Sequence, residues 1–191
     1  MSRIFFVKNF FDILFGKKYF LRTEDIELLR KINPDTDEKT DRFFKAVSNM
    51  TALGLIATGI PILLYVYGWL HADLRYQKWA CWIGMSFVLN LWVTYALKIL
   101  THRVRPYIKY PDLNEKALEN TPSFPSGHSS VAFQTATAVI LVCPCCQMAI
   151  PAYLWASTIA YSRMYLGVHY PTDVLVGIVL GLFSAWVTHL L

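Results

Sequence analysis

Charge is scarce in this chain. Asp, Glu, Lys and Arg make up 16% of its 191 residues, against 55% hydrophobic ones, which leaves too little polar surface for an ordinary soluble domain of this size. Zinc-finger spacings, RGG runs and basic helical stripes are lacking, so the usual means of holding nucleic acid are missing. The formal net charge of +5 then points to an anionic membrane surface. Cysteine is sparse too. Of Cys81, Cys143, Cys145 and Cys146, the last three cluster around Pro144 with no histidine nearby in sequence, and they read as free thiols at a helix end. A cleavable signal peptide is also wanting. The apolar stretch from Ile4 to Phe15 is broken by Lys8, Asn9 and Asp12, ends at Gly16-Lys17-Lys18 and meets no small-residue cleavage site.

What the chain has instead is apolar length. Residues 3–22 are Phe-rich, flanked by Lys and Arg, and too charged to cross about 30 Å of hydrocarbon; they read as an amphipathic interfacial segment. Residues 23–48 are polar, with a helix start at Thr23, Asp25 and Glu27, a turn at Asn33-Pro34-Asp35 and a second helix from about Glu38 toward Ser48. Apolar runs follow at Thr51–Leu70, Trp79–Leu100, Ser129–Val142, Met148–Tyr161 and Val174–Leu191, with Trp and Tyr near their ends. The expectation is an all-α, polytopic transmembrane helical bundle of about five spanning helices plus the N-terminal amphipathic segment. It forms a single domain, 1–191, in which 1–48 precede a catalytic helical core at 49–191.

Polar residues within apolar runs are costly in lipid and belong on inward faces. Ser86, Asn90, Thr94 and Lys98 recur every four residues, as do Asp173, Gly177 and Gly181; Gly177-x-x-x-Gly181 permits close helix approach. Three clusters then stand out. Lys98-x6-Arg105-Pro106 places two cations almost two turns apart, on one face if the helix continues, with Pro106 helping to end it. Pro125-Ser126-Gly127-His128 offers an N-cap, a glycine that admits a ligand to the backbone, and free helix-start amides that attract an anion. Ser162-Arg163-x5-His169-x3-Asp173 puts Pro171 and Asp173 in the first turn of the last helix, where the carboxylate can reach back to fix the His169 tautomer. If the helices alternate in direction, all three clusters meet on one side of the membrane.

These motifs, K-x6-RP, PSGH and SR-x5-H-x3-D, together resemble the signatures of the type 2 phosphatidic acid phosphatase superfamily, which also includes vanadium haloperoxidases and glucose-6-phosphatase. The match covers residues 98–173 with every defining position present and in order. The polar stretch from Ile32-Asn33 to Ser48 also resembles the segment that precedes the core in many bacterial members. Many members have six spanning helices, the first of which is reduced here to the segment 3–22. The resemblance implies His169 as the nucleophile that forms a phosphohistidine. It implies Asp173 as the residue that orients it, and His128 as the acid for the leaving group and then the base for water. Lys98, Arg105, Ser126, Gly127 and Arg163 would hold the phosphoryl oxygens. No metal and no cofactor is called for, since fixed cations take the place of Mg²⁺.

The implied activity is hydrolysis of a lipid phosphate or diphosphate, such as undecaprenyl diphosphate, phosphatidylglycerol phosphate or phosphatidic acid. Alternatives are a lipid A phosphatase, a lipid-to-lipid phosphotransferase and a lipid-binding scaffold; the membrane runs argue against a haloperoxidase, the intact catalytic set against a scaffold. The expected partners are the lipid phosphate and membrane lipids, with no nucleic acid and no protein partner that can be inferred. The family would place the chain in the bacterial inner membrane with its site, and its N-terminus, on the periplasmic side. Loop charge opposes that orientation, because 101–126 carries Arg103, Arg105, Lys109 and Lys116 while the loop between the first two runs carries only Arg75 and Lys78.

Overall fold

The computed structural model describes residues 23–52, 55–143 and 146–191. The interfacial segment expected at 3–22 and Cys145 lie outside the described residues. Within them all regular structure is helical: α1 Thr23–Ile32, α2 Glu38–Ala52, α3 Leu55–Leu70, α4 Leu74–Thr101, α5 Pro106–Lys109, α6 Gly127–Val142, α7 Cys146–Tyr165 and α8 Pro171–Leu190. Acids in the first turn of α1 and Arg30 and Lys31 in its last suit the helix dipole. The turn that follows is an anchor. Asn33 donates to the carbonyls of Tyr165 (2.8 Å) and Asn114 (3.0 Å) and accepts from the Asn114 amide (2.8 Å).

α6 lies at the centre, packed on α8, α7 and α4; α8 also packs on α4, α3 lies beside α4, and α2 rests on α7. Small residues set the closest approach. A Cβ at Gly177 would stand 2.5 Å from the Ser126 carbonyl oxygen, so only glycine lets α8 come this near the start of α6. The expected inward stripes are observed, with Ser86, Asn90, Thr94, Asp173, Gly177 and Gly181 all buried. Asn90 accepts from Ser130, and Gln134 donates to Ser86, so polar side chains of α4 and α6 pair across their contact. Trp92, Leu63, Ile150 and Phe183 point outward and are largely exposed, as lipid-facing residues would be.

Among the described residues two helical segments are long and apolar enough to cross a membrane, Leu74–Lys109 and Pro171–Leu190, or three if α2 and α3 make one bent span. At about 1.5 Å per residue, the 20 residues of α8 match the hydrocarbon thickness. The five spans expected from the runs are thus not all matched by helix length and composition. As described, α3 and α6 each have 16 residues. α6 is also diluted by buried Ser129, Ser130, Gln134, Thr135 and Thr137. A helix wrapped by other helices does not need an apolar surface.

Candidate active site

The three sequence clusters meet at one end of the bundle. Lys98 stands in the last turn of α4 and donates to the Pro122 carbonyl. Contrary to the continuous helix considered from the spacing, α4 stops before Arg105. His102 takes a left-handed conformation (φ 44°) and returns its amide to the Lys98 carbonyl. Pro106 therefore does not end α4 but opens α5, with Arg105 as its N-cap. The turn carries the Arg105 guanidinium into the site, where it is 3% exposed. There it donates to the carbonyls of Thr121 (2.8 Å) and Val168 (2.9 Å) and lies 3.3 Å from His169 Nε2.

His169 lies in the short connection between α7 and α8, 1% exposed. Gly167, at φ 72°, reverses the chain there, and the His169 amide returns to the Arg163 carbonyl (3.3 Å). Its Nδ1 faces Asp173 Oδ2 at 3.6 Å, beyond hydrogen-bond reach, while Nε2 faces the Arg105 guanidinium at 3.3 Å, an arrangement that suits a proton on Nδ1 and an acceptor at Nε2. Burial first, then the charges of Arg105, Arg163 and Lys98, push the imidazole well below its ordinary pKa, which favours the neutral ring. Arg163, at the end of α7, is likewise buried and donates to Ser48 of α2 and to Glu119.

Ser126 is the N-cap of α6, as expected. Its hydroxyl is paired with Ser129 (2.8 Å to Oγ) and its amide donates to the Asp173 carbonyl (3.0 Å), so it locks α6 onto α8. A side chain at Gly127 would meet only Thr94 at 3.8 Å; nothing within the protein demands glycine there. His128 follows in the first turn, half-buried, within the electrostatic reach of Arg163, Glu119, Arg105 and Lys98.

Several residues not singled out in the sequence belong to this site. Arg103 donates to Asp173 and, at 3.0 Å, to Asp25 of α1, while its guanidinium lies 4.0 Å from the Tyr170 ring centre. Asp25 also accepts from the Thr172 amide (3.0 Å) and hydroxyl (2.6 Å). Ser123 and the Tyr170 amide complete the shell around Asp173. Glu119 bridges Arg163 and, at 3.8 Å, Arg105. Burial would raise its pKa, but Arg163, His128 and Arg105 outweigh burial and hold the carboxyl below the usual range. The signals were slight. Arg103 looked like loop charge, Asp25 like an ordinary helix-start acid, and Glu119 lies in a connection without periodicity.

A buried His–Asp pair beside arginines thus sits at one end of an apolar helical bundle of membrane type. Residues 79–191, more than half of the chain, match the PAP2 superfamily, and the chain belongs to that family. An undecaprenyl-diphosphatase of Sulfolobus acidocaldarius is 30% identical over 61% of this chain and 55% of its own. A lipid A 4'-phosphatase of Bacteroides thetaiotaomicron is 40% identical over 63 residues, 33% of this chain and 28% of its own. The chain thus spans less than two thirds of these relatives. The crystal structure of a transmembrane PAP2 type phosphatidylglycerolphosphate phosphatase from Bacillus subtilis shares the fold, with a TM-score of 0.74, covering 97% of this chain and 92% of that one at 21% identity.

Proposed function

We propose that this chain is a metal-independent membrane lipid phosphatase that works through a phosphohistidine at His169. The observation that carries the reading is the buried imidazole whose Nδ1 faces Asp173 while Nε2 lies 3.3 Å from Arg105. Nε2 attacks phosphorus, the bond from phosphorus to the lipid oxygen or leaving phosphate breaks, and His128 gives that oxygen its proton. Water then attacks the phosphohistidine, His128 takes the water proton, and the phosphorus–nitrogen bond breaks to release phosphate. Lys98, Arg105 and Arg163 stabilise the charge on the transferring group, together with the leading amides of α6 at Gly127 and the loop position Ser126 fixes. Asp173 holds the Nδ1 proton in place.

In this reading α3, α4, α6, α7 and α8 all cross the membrane, and the site faces the periplasm. The substrate is a lipid phosphate or diphosphate, and the names of the relatives favour undecaprenyl diphosphate, with lipid A as the second reading. Phosphate release from a panel of purified lipid phosphates and diphosphates, with chelator present, tests it. Turnover should persist in chelator and vanish in His169→Ala while the variant still inserts and folds. Near-normal release from that variant, or activity that chelator removes and Mg²⁺ restores, would sink the proposal.

A further inference from the structure

We propose that Glu119 is an internal competitor of the substrate: its carboxylate holds the two arginines that must hold the phosphoryl group, and it has to turn away before substrate can bind. The inference rests on the phosphoryl site proposed above. Arg163 donates to one Glu119 oxygen, and Arg105 forms an ion pair with the other at 3.8 Å, beyond hydrogen-bond reach, so the carboxylate occupies the charge of both arginines. Two anions cannot share those donors without repelling each other, so carboxylate and phosphoryl group exclude one another. The backbone of Glu119 is held independently of its side chain. The Tyr107 hydroxyl donates to the Glu119 carbonyl at 3.2 Å and accepts from its amide at 3.4 Å.

The pinned backbone means that the side chain moves and the loop does not. It has somewhere to go. A cavity of about 510 Å³ opens beside it, lined by Lys45, Ser48 and Asn49 of α2, with Leu118, Glu119 and Arg163. Lys45 is exposed in that cavity and can receive the displaced carboxylate, exchanging an arginine partner for a lysine one. Lys116, on the same wall, is already engaged with Asp41 at 2.9 Å and Thr36 at 2.8 Å. The exchange keeps the carboxylate charge compensated in both positions. It also makes opening dependent on an anion strong enough to displace the carboxylate, which a dianionic phosphate ester is and a neutral or zwitterionic lipid headgroup is not. The site is thereby screened against the bulk membrane lipids around it.

The test measures inorganic phosphate binding by calorimetry, and KM for a lipid diphosphate, on wild type, Glu119→Gln and Glu119→Asp. A latch closed nine-tenths of the time lowers apparent affinity about tenfold, so Glu119→Gln should bind phosphate about tenfold tighter and lower KM. Glu119→Asp separates a latch from a mere change of local charge. It keeps the negative charge but is one methylene too short to bridge both arginines, so the latch requires it to behave like Glu119→Gln. If Glu119→Asp matches wild type while Glu119→Gln tightens, the effect is only the field of the charge and the latch is wrong. If all three bind phosphate alike, or Glu119→Gln binds it more weakly, the phosphoryl site stands and the latch falls. If none of the three, each shown to be folded by its melting transition, binds phosphate at all, the site itself has been misread.

Discussion

His169 and His128 stand among the same cations but are asked for different things. In the proposed mechanism His169 must be neutral with its lone pair on Nε2; its near-complete burial favours the neutral ring, and Arg105, 3.3 Å from Nε2, must give up that contact when Nε2 attacks. His128, in the same proposed mechanism, hands over a proton and takes one back. It should therefore matter most when the leaving oxygen is poor, as in a lipid alkoxide, and least when it is an activated phenolate. General acid catalysis contributes about 10²–10⁴-fold, so His128→Ala should depress cleavage of a lipid monophosphate by about that factor more than cleavage of an aryl phosphate. With the aryl substrate a phosphohistidine should accumulate, because water then lacks its base. Equal losses on both substrates and no trapped phosphoenzyme would make His128 a binding residue. Asp25 and Arg103 act through Asp173. Asp25→Asn removes one of the two carboxylates that share Arg103 and so shifts its charge toward Asp173, which weakens the hold of Asp173 on the His169 proton; kcat should fall about tenfold at unchanged KM, a small fraction of the range open to groups that move protons. A rise in KM with kcat intact would place Asp25 outside this role. The motif residues could be read from the sequence because each lies at a fixed spacing from another. Arg103 could not, since its partners Asp25 and Asp173 are 78 and 70 residues away and no local pattern links them.

Helix ends and helix contacts place these groups. α4 needs a left-handed cap to turn Arg105 into the site, and His102 provides it without a glycine to announce it, which is why the spacing alone suggested a continuous helix. The last helix was more legible. Pro171 and Asp173 mark its start, and its small residues mark its inner face. The packing gives Gly177 a specific duty, since a Cβ there would press on the Ser126 carbonyl oxygen at 2.5 Å and on Ser129 at 3.3 Å. Gly177→Ala must push the start of α6, and His128 with it, away from α8. Overpacking of this kind costs about 1–3 kcal/mol, and a shift of about 1 Å in catalytic groups can cost about 10²-fold in rate. The expected result is a protein that melts lower and turns over far more slowly. Gly59→Ala in α3 is the matched control, because a Cβ there meets nothing within 4 Å and should leave melting and turnover unharmed or slightly improved. If both variants behave like wild type, the α6–α8 approach does not set the catalytic geometry.

The bundle as a whole must choose which way to face, and two sequence arguments disagreed. Loop charge argued for the site on the cytoplasmic side, family likeness for the opposite side. Burial changes the weight of the first argument. The side chains of Arg103, Arg105 and Lys116 are 8%, 3% and 5% exposed, each against a carboxylate, so in the folded protein they serve the site and its loop and do not meet lipid headgroups. Their presence in the loop reflects the chemistry, and a charge count that includes them is biased. The two ends of α6 offer a direct measurement. Leu118, in the loop above the site, is 79% exposed, and Cys143, which caps the far end of α6, is exposed and free. The 16 residues of α6 separate these ends by about 24 Å, most of the hydrocarbon thickness. In a variant with Cys81, Cys145 and Cys146 changed to serine, Cys143 is the sole thiol; changing Cys143 to serine too and adding Leu118→Cys moves that thiol to the site end. With the site facing the periplasm, a membrane-impermeant maleimide applied to intact spheroplasts should label Leu118→Cys at once and Cys143 only after the membrane is opened. The reverse order would put the active site in the cytoplasm. Labelling of both thiols in intact spheroplasts would mean that α6 does not cross the membrane, and the five-helix reading would fall with it.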